Sequence, residues 1–425
     1  MGCPMKIANG GGFWGDEIEA SFRLVSHTPD LDYLTLDYLA ELSMAIMAIQ
    51  KAKDPSKGYA EDFLKVLKTL KPLWDKGLKF KIVTNAGGLN PEGLKTEIEK
   101  LFPEKKVVAL SGDDVTQTLL KDPENALYKN LDNGKSLTTI KDELVTANAY
   151  LGADKIAKAL QEGAQIVVTG RIADPSLVVG AAIAHFGWNL NDYDKIAQAT
   201  VAGHLIECGA QVTGGISGLW DKIKEPENLG FPLIDMKEDG SFIVTKPNDL
   251  PGFVTPFTVK EQLLYEIGNP GEYKSPDAIV SFLSLELEDK GDNRVQVTGA
   301  KGNPPPNTYK VSAVFKAGYK AEGTLLFSGE DAQAKARDGA EMILKRAPVQ
   351  ESLIETFGER QECLLRLAAA DLKQENMERF ARSFAPLVTQ GPPGTSGYTG
   401  GRPKVRPRFG FWPCLIDRRF IDAEG

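Results

Sequence analysis

Three side chains on one predicted helix carry the sharpest chemical suggestion in the sequence. His204, Glu207 and Cys208 stand at i, i+3 and i+4, a spacing that puts them on adjoining spots of a helical surface. An imidazole beside a carboxylate is a general-base pair, because the carboxylate fixes the tautomer and raises the basicity of the ring. The trio also has the residue types of metal ligands. Two or three ligands from one helix leave such a site incomplete, however, and no metal is assigned. Ala197, Val201, Leu205 and Cys208 form an apolar stripe, so Cys208 reads as core. Of the three histidines, His27, His185 and His204, only the last precedes a Gly-rich exit, Gly209 to Gly218. The competing reading of His204 is a satisfied structural histidine.

A second set of candidates follows four predicted strands, which end in Asn9-Gly10-Gly11-Gly12, Asn85-Ala86-Gly87-Gly88, Ser111-Gly112-Asp113 and Thr169-Gly170-Arg171. In open parallel sheets, ligands bind beyond the carboxyl ends of the strands. Glycine there lets backbone N–H groups approach a ligand, and helix N-termini favour anions. Asn9, Gly11, Gly12, Asn85, Gly87, Gly88, Thr169 and Arg171 are therefore the expected substrate-binding residues, with ordinary strand-to-helix turns as the alternative. Arg171 can grip a carboxylate or phosphate in bidentate fashion, or pair with Asp174 to stiffen its turn. Asp37 directly follows the second strand, and Asp113 with Asp114 follows the fourth. Both positions suit an acid or base, and Glu41 is a further acidic candidate. Asp16 with Glu19 reads as a capping box. No Gly-Lys-Ser/Thr follows any of these strand ends, so none of them is a phosphate loop, and the chain has no Gly-x-Ser-x-Gly elbow and no zincin helix. Gly10 to Gly15 is only loosely like a dinucleotide fingerprint, so the sequence requires no cofactor.

The elements that must position these groups alternate in the first half of the chain. Short β-branched runs at Lys6–Asn9, Tyr33–Leu36, Phe80–Thr84, Val107–Leu110 and Ile166–Thr169 alternate with amphipathic stretches, the pattern of βαβ units and a parallel sheet. Helices are predicted from about Leu39 to Gln50, Tyr59 to Trp74, Ala153 to Gln161 and Tyr193 to Cys208. Asn90 is an N-cap ahead of Pro91. Beyond Gly214 the character changes. Ser241–Thr245, Ala278–Leu287, Arg294–Thr298, Val311–Phe315 and Gly323–Phe327 read as strands, with a turn at Asp289–Asn293 and a helix over Ala332–Arg346. The fold class is thus α/β: a mainly parallel sheet with flanking helices (1–220), then a smaller α+β unit (221–350), then a helix and a Gly/Pro/Arg-rich segment (351–425). The stretch from Thr389 to Pro413 reads as an ordered loop, given Tyr398, Phe409, Phe411 and Trp412. Its Arg402, Lys404, Arg406 and Arg408 suggest an anion contact or an intersubunit clamp, and a solvated basic loop is the slightly preferred reading.

Composition bounds the function class. In 425 residues, 42% are hydrophobic and 25% charged, and the net charge is −8, values of a globular protein rather than a nucleic-acid binder, which needs a positive field. The four scattered cysteines form no pair motif, and no apolar run approaches the roughly 20 residues that span a bilayer. The start, Met1-Gly2-Cys3, lacks both an apolar signal core and a convincing acylation pattern. A cytoplasmic enzyme with no membrane partner is expected, and a homodimer is the default assembly.

At this point the segments become recognisable. Asn9 to Asp16, Leu36 to Leu42, Val83 to Pro91, Val168 to Arg171 and Ala202 to Gly215 resemble the acyclic terpene utilisation protein family. The resemblance runs from about Lys6 to Lys310, and Gly10 and Gly11 depart from its usual first loop. It implies catabolism of branched acids or isoprenoids at the acyl-thioester level. The expected activity is a lyase of hydratase or dehydratase type acting on a branched, carboxylate-bearing or CoA-linked small molecule. His204 oriented by Glu207 would move the proton, Asp37 or Asp113 would be the complementary acid, and the glycine loops with Arg171 would hold the anionic part. A hydrolase or isomerase using the same base, and a non-catalytic subunit of an acyl-processing complex, are the alternatives.

Overall fold

The computed structural model describes residues 3–397 and 400–422. Met1, Gly2 and Tyr398, which entered the reading of the N-terminus and of the tail, lie outside them. The chain divides into two compact units, one of residues 1–139, 146–313 and 412–425, the other of 140–145 and 314–411.

The larger unit is built on a nine-stranded sheet. Its parallel half comprises β1 (Met5–Asn9), β2 (Tyr33–Leu36), β3 (Lys81–Thr84), β4 (Val107–Leu110) and, after a separate strand β5 (Leu144–Ala149), β6 (Ile166–Thr169). Their spatial order is β1-β2-β3-β6-β4, all pairs parallel. The other half is antiparallel: β7 (Leu233–Met236) pairs with β1, then β8 (Phe242–Thr245) follows. The strands β9 (Tyr273–Lys274), β10 (Ile279–Ser281) and β13 (Lys301–Asn303) form a small separate sheet, while β11 (Glu286–Asp289) and β12 (Val295–Thr298) complete the large one. The change of character beyond Gly214 is therefore, for β7, β8, β11 and β12, a change from parallel to antiparallel pairing within one sheet, while β9 and β10 leave it for the small one.

The helices of this unit are α1 (Ala20–Ser26), α2 (Glu41–Lys53), α3 (Asp62–Asp75), α4 (Pro91–Leu101), α5 (Thr116–Lys121), α6 (Asp154–Gln161), α7 (Ser176–Phe186), α8 (Tyr193–Ile206) and α9 (Pro256–Leu264). Ile7, Tyr33, Val83 and Val167 pack with α6, α7 and α8 in one core cluster. The alternate residues Ala8, Leu34 and Ile82 are buried as well, so both faces of the sheet are covered, as parallel sheets require. Asn90 caps α4 by accepting from the Gly93 N–H, with Pro91 as the first helical residue, as expected. Helix α8 is buried from Ile196 to Ile206 because its residues are small where neighbours come close. A Cβ on Gly203 would lie 2.7 Å from the Pro175 backbone. That glycine lets the last turn of α8 settle against the loop after β6.

The smaller unit contains β14 (Thr308–Ser328) from Val314 onward, β15 (Glu351–Gly358), β16 (Glu362–Asp371) and β17 (Thr395–Ser396), in the order β15-β16-β14-β17. Helices α10 (Ala332–Arg346) and α11 (Gln374–Arg382) cover one face, where Leu325, Phe327, Leu365 and Leu367 meet Ala336, Ile343 and Phe380.

Several local expectations are corrected. Val311–Phe315 and Gly323–Phe327 belong to one strand of 21 residues, with Gly318 at φ +88 where the sequence suggested a break. The run Ala278–Leu287 splits into β10 and the start of β11. The hairpin β15–β16 was not anticipated, although Cys363, Leu365, Leu367 and Ala369 alternate with a period of two. Arg406–Asp417 is a strand, β18, rather than loop. Asp16 caps no helix: α1 starts at Ala20 without a side-chain cap, and Asp16 accepts from the N–H groups of Gly12 (2.9 Å) and Glu17 (2.7 Å).

Candidate functional site

The carboxyl ends of β1 and β2 and the end of α8 meet at a cavity of about 550 Å³, lined among others by Gly12, Asp37, Asp174, Glu207, Cys208 and Glu266. Asn9 donates its side-chain amide to the carbonyls of Ile206 (2.8 Å) and Glu207 (3.1 Å), tying the first strand to the end of α8. The Asp37 N–H bonds to Gly11 O at 2.9 Å. Asn85 donates to Asp37 Oδ1 at 2.6 Å and accepts from the Tyr38 N–H at 2.7 Å. Asn9 and Asn85 thus hold the carboxyl-bearing segments rather than line the cavity.

The other glycine loops close on protein. A Cβ on Gly87 would sit 2.5 Å from Thr169 O, one on Gly88 2.2 Å from Met47 Sδ, and one on Gly170 2.3 Å from Asp113 Oδ1. Thr169 bonds to Gly170 O, and with Arg171 it lines a different cavity of about 100 Å³. Arg171 is only 4% exposed. Its guanidinium donates to Leu39 O, lies 3.5 Å from Asp174 and stacks 4.1 Å over the Tyr150 ring. Asp113 is likewise enclosed, accepting at Oδ2 from Asn148 Nδ2 (2.8 Å) and from the Arg171 N–H (2.9 Å). Burial pushes it up to about 6. The structure therefore brings Gly12, Asp37 and Glu207 together on one cavity and sets Asp113, Thr169 and Arg171 apart from its lining. Asp174 and Glu266 join the site from outside the predicted set. Asp174 was visible only as the partner of Arg171. Glu266 has a left-handed backbone (φ +60) that no sequence signal announced; strain of this kind gathers at functional positions.

His204 and Glu207 are paired as their spacing predicts, with Nδ1 2.9 Å from Oε1. The proton is where the sequence could not place it. His204 Nε2 lies 2.9 Å from the Gln262 carbonyl, which can only accept, so Nε2 carries the hydrogen. A neutral ring has no second hydrogen, so Nδ1 accepts and Glu207 donates. The electrostatics agree. His204, packed edge-on to Phe282, is pushed down to about 4, chiefly by burial. Burial, then repulsion from Asp174 and Glu266, holds Glu207 well above the usual carboxylate range. Asp37 is raised well above it by burial and Asp174, against the Asn85 hydrogen bond and Arg171. Glu207 Oε2 and Asp174 Oδ1 are buried without a hydrogen-bond partner among the described residues. No Lys or Arg belongs to the cavity lining.

A stability prediction follows from this burial. The folded imidazole protonates near 4, whereas the unfolded one does so near 6.5. Its contribution is complete above pH 6.5 and is lost as pH falls through 4. Between about pH 7.5 and 4.5 this residue is expected to account for about 2–3 kcal/mol of lost stability. Urea unfolding of His204→Gln at both pH values should show the acid limb flattened by that amount.

The family model for the acyclic terpene utilisation family protein AtuA matches residues 5–424. This chain belongs to that family. Membership extends over both units and associates the chain with acyclic terpene utilisation. No curated protein matches the chain. Among solved structures, the aspartate kinase of Clostridium acetobutylicum is 8% identical over 89% of this chain and 99% of its own, with a TM-score of 0.22, a likeness too slight to bear on fold or function. No helix among the described residues is long and apolar enough to cross a membrane. None of their His, Cys, Asp and Glu side chains form a group of three or more that could hold a metal ion.

Proposed function

We propose that this family member is a lyase that adds or removes water on a branched acyl thioester, with Glu207 and Asp37 as its proton-moving groups. The observation that carries the reading is a cavity presenting two carboxyls held above their ordinary range, one with a buried, unpartnered oxygen. A carboxyl held above its ordinary range in this way suits proton transfer. The lining offers an anion no cationic partner, so the part of the substrate that enters is the neutral acyl end of a thioester. Glu207 gains a proton at Oε2 by passing the one at Oε1 to Nδ1 of His204, and returns it by the reverse path. Asp37 supplies the complementary proton to the departing hydroxyl. His204 is a positioning and relay residue, because its Nε2 is committed to Gln262. The Asp174–Arg171 pair sets the field in which both carboxyls titrate. Thiol-based hydrolysis has less support: Cys208 lines the cavity, but burial and Glu207 push its thiol far up, away from the reactive thiolate.

The test is a panel of branched 2-enoyl and 3-hydroxyacyl thioesters turned over in oxygen-18 water. Label in the 3-hydroxyl formed from the 2-enoyl thioesters is expected, with unlabelled 2-enoyl product from the 3-hydroxyacyl ones. Label in a free carboxylate would identify a hydrolase instead, and thioester binding without conversion would identify a non-catalytic subunit.

A further inference from the structure

The smaller unit carries a groove of about 670 Å³ on the sheet face away from α10 and α11. Its floor is made of Ala368, Ala370 and Thr324, and its rim of Lys320, Arg366, Arg402, Lys404, Arg406 and Arg408. Only two carboxylates line it, and each is already paired: Glu322 with Arg366 at 2.8 Å and Glu351 with Arg408 at 2.9 Å. Lys320, Arg402, Lys404 and Arg406 have no ion pair to a carboxylate among the described residues. In a chain of net charge −8, a concave surface with this excess of one sign is a focused positive field. Gly400 and Gly401 also line it, and a Cβ on either would meet nothing within 4 Å among the described residues. No side chain there keeps a ligand from the backbone, the circumstance in which N–H groups can cradle phosphate oxygens.

We propose that this groove binds a nucleotide carrying at least two phosphates. The unpaired cations and the open glycines would take the phosphate oxygens, and the small-residue floor would receive the flat base. The volume of about 670 Å³ falls within the range of small-molecule sites, roughly 300–1,000 Å³. Guanidinium groups match phosphate oxygens in bidentate geometry. The assignment does not rest on the acyl-thioester reading, and either can fail alone.

Calorimetric titration of the full chain with ADP, adenosine 3′,5′-bisphosphate, adenosine and inorganic pyrophosphate tests it. At least one of the two phosphorylated nucleotides is expected to bind at least 10-fold more tightly than adenosine and than pyrophosphate. The triple variant Arg402→Ala, Lys404→Ala, Arg406→Ala, altered only at residues without ion pairs, should weaken that binding at least 10-fold and reduce its salt dependence. Its thermal unfolding should match that of the parent chain. Pyrophosphate binding as tightly as the nucleotides, equal nucleotide binding by the triple variant, or tighter binding of a single-stranded RNA oligomer would each overturn the proposal.

Discussion

Replacing Glu207 by Gln is expected to lower kcat on the thioester substrate by about 10²–10⁴-fold, the range for a positioned proton-transfer group, while unfolding free energy changes little. Glutamine fills the same volume, and its amide hydrogen can reach Nδ1 of His204, 2.9 Å from the present Oε1. The pocket wall and the end of α8 therefore stay in place. What disappears is the exchangeable proton and the basic oxygen at the cavity. Steady-state kinetics beside urea unfolding separates the two effects. A variant that folds normally and keeps kcat within about 10-fold of the parent would remove Glu207 from the proton path.

The second large effect is steric and lies where the first loop meets the exit of α8. A Cβ on Gly12 would stand 2.5 Å from Gly209 N and 2.7 Å from Cys208 C, backbone atoms that no rotamer change can move. Gly12→Ala should cost about 1–3 kcal/mol as overpacking. Because the displaced segment carries Glu207, it should also lower kcat by about 10²-fold, the penalty of misplacing a reacting group by about 1 Å. The neighbouring Gly11→Ala is the control, since its Cβ would meet only Leu36 Cδ2 at 3.7 Å. Equal unfolding midpoints and equal kcat for the two variants would show that the close approach of the first loop to the α8 exit has no consequence.

What the sequence made legible was the α/β class and the close backbone approach at the strand ends, and particular residues show why it went no further. Strand ends rich in Gly and Asn, such as Asn9 and Asn85, announce close backbone approach, and the structure has it. Local spacing does not reveal what comes close. Gly87, Gly88 and Gly170 meet neighbouring protein, and only Gly12 of the predicted glycines reaches the cavity. The i, i+3 pairing of His204 and Glu207 was readable from periodicity. The direction of its hydrogen bond was not, because the deciding group is the carbonyl of Gln262, 58 residues away. Asp113 and Asp174 show the same limit. Both are acids close after strands, yet Asn148 and the Arg171 N–H enclose the first while the second lines the cavity. The long β14 was hidden by Gly318, which in isolation reads as punctuation.

Helix α8 ends at Ile206 with Glu207 as its C-cap, and His204 lies in its last turn. The aligned peptide groups of a helix gather about half a negative charge at that end. This pole opposes ionisation of the Glu207 carboxyl and favours an imidazolium at His204. The two amide hydrogens of Asn9, resting on the carbonyls of Ile206 and Glu207, temper it. The backbone thus lowers the cost of the one charged state through which the proton has to pass, the moment when it sits on Nδ1.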